Sequence, residues 1–401
     1  MSKSKYHLLF VVGTAWLFDA MDVAILSFIM PLLKTEWQLS PVQLGTVGAA
    51  TSVGMIIGAL VCGYLADRIG RKRVLIYTLA LFSCGNLALT LAPNVTIFIL
   101  IRFITGIGLG GELPVAATLI ADSYRGTQRS RMLVMADSFW AIGWILASVL
   151  AFGAMPVIGW RWTVLITALT VLYALPLRKH LPDTPVKPMV KPSYKVLWQP
   201  EHRQQTLLLS ALWFIVMLTY YGMFLWLPSI LVLRGFPIIH SFNYTLLMSL
   251  AQLPGYYLAA YLMGRLRQKT VLLIYLCGTI VSVLAFSIAT SNSAILVSGA
   301  WLSFFDLGAW GTLIALTPGQ FPQAIRGTGM GTAQSIGRVG ATIGPYLVGL
   351  LIQLKFSIST VLGLFVVLLV FGALLLAVGV VDSTVPSKEA ADHDAKSETT
   401  H

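Results

Sequence analysis

The chain has 401 residues, of which 57% are hydrophobic and only 10% charged, with a mean hydropathy of +0.82. A soluble domain carries roughly 25% charged residues, so this composition excludes a water-soluble protein and indicates one embedded in a membrane. The formal net charge of +12 does not indicate a nucleic-acid partner, because the basic residues fall in alternate loops between apolar spans.

At about 20 residues per crossing, the apolar segments predict twelve spans in chain order. The first six are 8–33, 42–64, 74–92, 97–121, 132–156 and 162–177. The second six are 207–232, 242–263, 271–290, 294–317, 329–352 and 359–381. No small-residue cleavage site follows the basic start at Lys3 and Lys5, so the first segment reads as a span rather than a signal peptide. Residues 181–204 interleave Pro182, Pro185, Pro188, Pro192 and Pro200 with Lys187, Lys191 and Lys195, the pattern of a cytoplasmic linker. The expected organisation is therefore all-α, with six-helix bundles at 1–180 and 205–382 and a polar, disordered tail at 383–401. Most of the 27 Lys and Arg residues lie on the side that holds the linker, which puts both termini in the cytoplasm.

The two halves echo one another. Gly63-Tyr-Leu-Ala-Asp67-Arg68-Ile-Gly70-Arg71-Lys72-Arg73 follows the second span, and Gly264-Arg265-Leu-Arg267-Gln-Lys269 follows the eighth. Asp122-Ser-Tyr-Arg125-Gly126 follows the fourth, and Pro322-Gln-Ala-Ile-Arg326-Gly327 follows the tenth. Paired halves of this kind place a transport site at mid-membrane between them.

Ionisable residues within the spans are Asp19, Asp22, Arg102, Glu112, Asp137, Asp306 and Arg338. A charge at the bilayer centre costs about 2.5–3.5 kcal/mol on insertion scales, so each needs a partner, a water-filled cavity or a proton. Asp19 and Asp22 are three apart on one helix and resist double ionisation, which makes either a proton carrier or the partner of a basic group. Glu112 follows Gly108, Gly110 and Gly111, where another helix can approach; its readings are a proton relay or a structural contact. Arg102 is ten residues away, about 15 Å along an ideal helix, too far to pair with it directly. Asp137 reads as a structural hydrogen-bonding group close to the cytoplasmic end of the fifth span. Arg338, flanked by Gly337 and Gly340, offers a planar fork that matches a carboxylate; the other reading pairs it with Asp306 or Asp22.

Aromatic residues at mid-span are Trp140 and Trp144, which share a helix face, and Tyr220, Tyr221 and Trp310. They suit a planar ring, although single aromatics also serve as packing or as an interfacial belt, the reading for Trp37, Trp160 and Trp162. Cys62, Cys84 and Cys277 have no metal-ligand spacing, and the six histidines lie at ends or in loops. No metal, cofactor or catalytic constellation is expected, and the chain does not read as an enzyme.

Gly63 to Arg73 resembles the signature loop of the major facilitator superfamily, and Arg102-Phe-Ile-Thr-Gly106-Ile-Gly108 resembles its fourth-helix motif. Trp16-Leu-Phe-Asp19-Ala-Met-Asp22, Ser138-Phe-Trp140-Ala-Ile-Gly143-Trp144, the run from Tyr220 to Pro228, and Leu307-Gly-Ala-Trp310-Gly narrow the resemblance to the bacterial niacin permeases. That branch sits near the aromatic-acid/proton symporters and the organic-anion transporters. The resemblance implies a monomeric inner-membrane importer that takes up nicotinate with protons by alternating access. It implies that Arg338 holds the substrate carboxylate, that Arg102 belongs to proton coupling, and that Gly63, Asp67, Arg68 and Arg71 form a cytoplasmic gate. Two departures stand out: the second loop lacks the acid of the first, and Gly319 stands where relatives often carry Glu. A symporter of another small aromatic acid, of benzoate type, and a transporter-like membrane sensor are the alternatives.

Overall fold

The computed structural model describes residues 2–69, 71–123, 126–179, 194–322 and 325–380. At several positions, including 63, 66–69, 71–72, 111–123 and 126–131, it describes the backbone alone. Most of the expected linker and the whole expected tail lie outside the described residues. So do the side chains of Asp67, Arg68 and Arg71, and that of Glu112.

Fourteen α-helices follow in order: α1 (Ser2–Glu36), α2 (Pro41–Ile69), α3 (Arg71–Leu89), α4 (Val95–Ser123), α5 (Gly126–Gly153), α6 (Met155–Lys179) and α7 (Pro200–Phe224). Then come α8 (Leu227–Leu233), α9 (Ile238–Leu250), α10 (Gln252–Met263), α11 (Gln268–Ile288), α12 (Asn292–Leu316), α13 (Arg326–Gln353) and α14 (Ile358–Gly379). The described residues contain no strand. In a bilayer a helix satisfies its own backbone polar groups, which is why apolar spans of this length fold as helices. Nine of the described segments are long and apolar enough to cross a membrane, the span Ile238–Met263 counting as one. Two shorter apolar stretches, Ile76–Leu89 and Val95–Gly110, belong to α3 and α4.

Two expected spans are broken, each for the same reason. Proline lacks an N–H, and its ring collides with the carbonyl four residues earlier. Pro228 stands four residues after Phe224, where α7 ends, and Pro254 stands four after Leu250, where α9 ends. Counting α7 with α8 and α9 with α10 as single bent rods, the fourteen helices make twelve rods.

Without water to drive apolar faces together, membrane helices associate where small residues let their backbones approach. α2 and α4 meet in this way: a Cβ on Gly54 would collide with the Phe103 carbonyl, and one on Gly106 with that of Thr51. The first six helices meet the later ones along two seams. In one, α2 lies on α13, with Gly45 against the Pro345 carbonyl and Gly349 against that of Pro41. At its end the backbone N–H of Val42 donates to the Gln353 side chain. In the other, α5 contacts α9, α10 and α12.

α5 begins at Gly126, so Asp137 lies eleven residues, about 16 Å, inside the helix, and it is only 3% exposed. The helix extends beyond its apolar window, which begins at Met132, so Asp137 stays five residues inside that window.

Candidate functional site

Arg338 lies twelve residues into α13, about 18 Å from its start. Gly337 and Gly340 bring α13 against α7, where they face Trp213 and the Phe214 carbonyl. That close seam puts the Arg338 guanidinium beside Tyr221: Nη1 donates to the Tyr221 hydroxyl at 2.9 Å, and the guanidinium carbon sits 5.9 Å from the ring centroid. Across the seam, the same Nη1 lies 3.5 Å from the Met55 sulfur on α2. Arg338 is half-buried, and no carboxylate pairs with it among the described residues.

Beside this cation the aromatic residues form one cluster spanning both halves. Trp140 of α5 stacks on Trp310 of α12, with centroids 6.2 Å apart and planes 20° apart. Trp140 Nε1 donates to the Tyr220 hydroxyl at 2.7 Å. Tyr220 tilts against Trp310 at 5.0 Å and meets Tyr221 edge-on at 5.2 Å. Tyr221 in turn lies 6.4 Å from Trp310. Trp144, one turn beyond Trp140, packs edge-on against Phe224. Aromatic faces and edges so disposed accept a flat ring through quadrupole-matched contacts.

The acids of α1 have separate surroundings. Asp22 is paired with Arg102 of α4 at 2.9 Å and accepts a second bond from Asn86 of α3, also at 2.9 Å. All three are at least 98% buried. The pair joins α1, α3 and α4 within the first half, and Asp22 is not a partner of Arg338. A buried ion pair must recover the cost of removing both charges from water, and a third hydrogen-bonding group contributes to that. Asp19 is buried as well and lies within electrostatic reach of Tyr221. The structure thus brings together Arg338, Tyr221, Tyr220, Trp140, Trp310 and, through Phe224, Trp144.

Sequence reasoning did not single out Asn86 or Trp213. Asn86 had a signal, an amide inside an apolar span. Trp213 lies seven residues before Tyr220, two turns along the same face; it meets Trp310 edge-on at 5.7 Å and donates to the Thr317 hydroxyl at 2.9 Å. A separate cavity of about 230 Å³ lies between α1, α2, α8 and α9, lined by Pro31, Lys34, Leu44, Trp226, Ser229 and Ile238. It contains none of the clustered residues above.

A family model described as Major Facilitator Superfamily matches residues 12–255 and 241–399, which together span nearly the whole chain. The chain belongs to the major facilitator superfamily. Among curated members, a Bacillus subtilis protein provisionally named a niacin/nicotinamide transporter is 47% identical over 382 residues, covering 94% of each chain. The niacin transporter of Acinetobacter baylyi is 37% identical over 383 residues, covering 87% of each. A crystal structure of a D-xylose–proton symporter superposes with a TM-score of 0.77 at 18% identity, covering 94% of this chain and 98% of that one. The fold is therefore the all-α major facilitator fold, and the chain is a multi-pass membrane transporter rather than an enzyme. Its class is secondary transport of a small molecule.

Proposed function

We propose that this chain imports nicotinate across the inner membrane together with protons, its halves 1–180 and 205–382 rocking about the Arg338 site. The observation that carries the reading is the Arg338–Tyr221 arrangement: a half-buried guanidinium at mid-helix, beside a cluster of aromatic rings and with no described carboxylate to neutralise it. A small aromatic acid supplies what is missing, a carboxylate for the fork and a ring for Trp140, Trp310 and Tyr220. Both tyrosine hydroxyls accept a bond from a neighbour and keep their own proton to donate, as a ring nitrogen would require. Of the two relatives, one is named for niacin and the other for niacin or nicotinamide, which favours the pyridine acid nicotinate among such acids.

Proton coupling is supported by the buried Asp22–Arg102–Asn86 group. A proton on Asp22 removes the charge that holds Arg102, and so links protonation to the packing of α1, α3 and α4. Accumulation favours such coupling: a lone anion entering against an inside-negative potential works against about 2.3 kcal/mol per charge per 100 mV. Basic loops assign both termini to the cytoplasm, so the α2–α13 seam at Val42 and Gln353 lies at the outer end, closed in this state. Asp67, with Gly63, Arg68 and Arg71, is the proposed latch of the cytoplasmic end.

Uptake of labelled nicotinate by cells or proteoliposomes, with and without a proton uncoupler, tests the reading. Uncoupler-sensitive accumulation, blocked by excess nicotinate and poorly by nicotinamide, is expected. Accumulation indifferent to the uncoupler, or equal competition by nicotinamide, would overturn it.

A further inference from the structure

A second group of buried polar side chains lies across the other seam, one turn along α5 and α12 from Trp140 and Trp310. Asp137 of α5, Tyr256 and Gln252 of α10, and Ser303 and Asp306 of α12 are each at most 3% exposed. Asp137 Oδ2, the Tyr256 hydroxyl, both polar atoms of Gln252, Ser303 Oγ and Asp306 Oδ2 all lack a well-formed hydrogen bond. Gln252 and Tyr256 are one turn apart on α10, as are Ser303 and Asp306 on α12. The helices meet tightly here: Gly255 faces the Phe304 carbonyl, and Gly311 faces both the Tyr256 ring and Val134 of α5. Tyr256 interacts with Asp137 on one side and with Asp306 on the other. The group therefore bridges the two halves, with Asp137 contributed by the first and the rest by the second.

A carboxylate sealed from water without a cation is far costlier than a neutral carboxyl, so it takes up a proton instead. No described cation faces this group. Arg102 on α4 is engaged by Asp22 of α1, Arg161 on α6 by Glu36, and Lys269 on α11 by the Val380 carbonyl. His240 on α9 and Arg203 on α7 are exposed near helix ends. Other ionisable side chains on neighbouring elements are Asp19 and Lys34 on α1, Glu201, His202, Tyr220 and Tyr221 on α7, Tyr244 on α9, Tyr257 and Tyr261 on α10, and Cys277 and Tyr275 on α11, the Tyr275 hydroxyl donating to the Gly255 carbonyl.

We propose that Asp137 and Asp306, bridged by Tyr256, form a second proton site that is loaded when the two halves close on each other and emptied when they part. On closure each carboxylate takes one proton from water and becomes a neutral acid. On parting, water re-enters the seam and each acid returns its proton to the side then open. The α5–α10–α12 seam thereby takes up protons at carboxyls separate from Asp22, one turn along α5 and α12 from the stacked Trp140 and Trp310. This rests on the alternating-access reading and not on the identity of the substrate.

The test uses the full-length protein in lipid, without substrate, so that it fails separately from nicotinate uptake. Infrared titration in D2O reads the protonated-carboxyl band. Spin labels at Arg73→Cys and Arg265→Cys, with Cys62, Cys84 and Cys277 changed to Ser, read the distance between halves. The wild type is expected to keep the carboxyl band well above the usual carboxylate range and to shift toward the open distance as pH rises. In Asp137→Asn/Asp306→Asn that part of the band is expected to vanish and the distance to lose its pH response. The Asp137→Glu/Asp306→Glu variant keeps both acids and is expected to shift the band without abolishing it, which separates proton loss from misfolding. A band unchanged in the Asn variant, or a pH response unchanged in it, overturns the proposal.

Discussion

The Arg338 guanidinium on α13 donates to the Tyr221 hydroxyl on α7 at 2.9 Å, so the orientation of the one depends on the hydroxyl of the other. A fork held in this way is pre-organised for a planar anion, and less is lost when the anion binds. Arg338→Ala is expected to weaken nicotinate binding by about 2–5 kcal/mol, the range for truncating one member of a buried charge pair. Arg338→Lys should recover only part, because an ammonium lacks the planar fork. Calorimetry on purified variants checks both, and normal binding by Arg338→Ala would remove Arg338 from the site.

Tyr221→Phe deletes the acceptor that orients Arg338 but leaves the ring. A loss of about 0.5–1.5 kcal/mol in nicotinate affinity is expected, the net worth of one hydrogen bond. Tyr220→Phe instead removes the acceptor of Trp140 Nε1 at 2.7 Å. If a tyrosine hydroxyl serves the pyridine nitrogen, one of these variants should lower nicotinate affinity while leaving that for benzoate unchanged. Competition assays with both acids decide this; equal losses for the two ligands would favour a general aromatic-acid symporter.

For Asp22, the expected signature is a split between two assays. Asp22→Asn keeps an oxygen for Arg102 and Asn86 but carries no titratable proton. Uncoupler-sensitive accumulation should fail while counterflow exchange persists, since exchange needs no net proton release. Asp22→Ala should fare worse, destabilising the protein by about 3–5 kcal/mol because Arg102 is then buried without its partner. Thermal melts beside the two transport assays separate the outcomes.

Gly106→Leu is expected to abolish folded protein in the membrane, because a side chain there would collide with the Thr51 backbone rather than with a flexible neighbour. Gly363→Leu, on α14 with open space around its Cβ position, should be tolerated. Detergent-solubilised yield by size-exclusion chromatography compares the two.

Most of the helical layout is legible in the sequence because hydropathy over about 20 residues is set by the bilayer itself. The breaks after Phe224 and Leu250 were not, since the spans 207–232 and 242–263 remain apolar through them. Pro228 and Pro254 carried the signal. The start of α5 at Gly126 was not legible, because Arg129 and Arg131 look like a loop, although a helix can carry them past the apolar window. The aromatic and Arg338 positions could be named from residue type and resemblance. The partner of Asp22 could not, because Arg102 is 80 residues away and only the packing of α1 on α4 joins them.

The break before Pro228 lies in the second half, where Trp226 and Ser229 line the 230 Å³ cavity beside the ends of α1 and α2. On the facing side, Glu36 at the end of α1 is fastened to Trp160 at 2.7 Å and to Arg161 at 2.8 Å. The outer rim therefore has one stiff lip and one jointed lip. An inhibitor wedged there from outside would press against a fixed wall and jam the joint at 225–226, and resistance to it should arise at that joint rather than around Glu36.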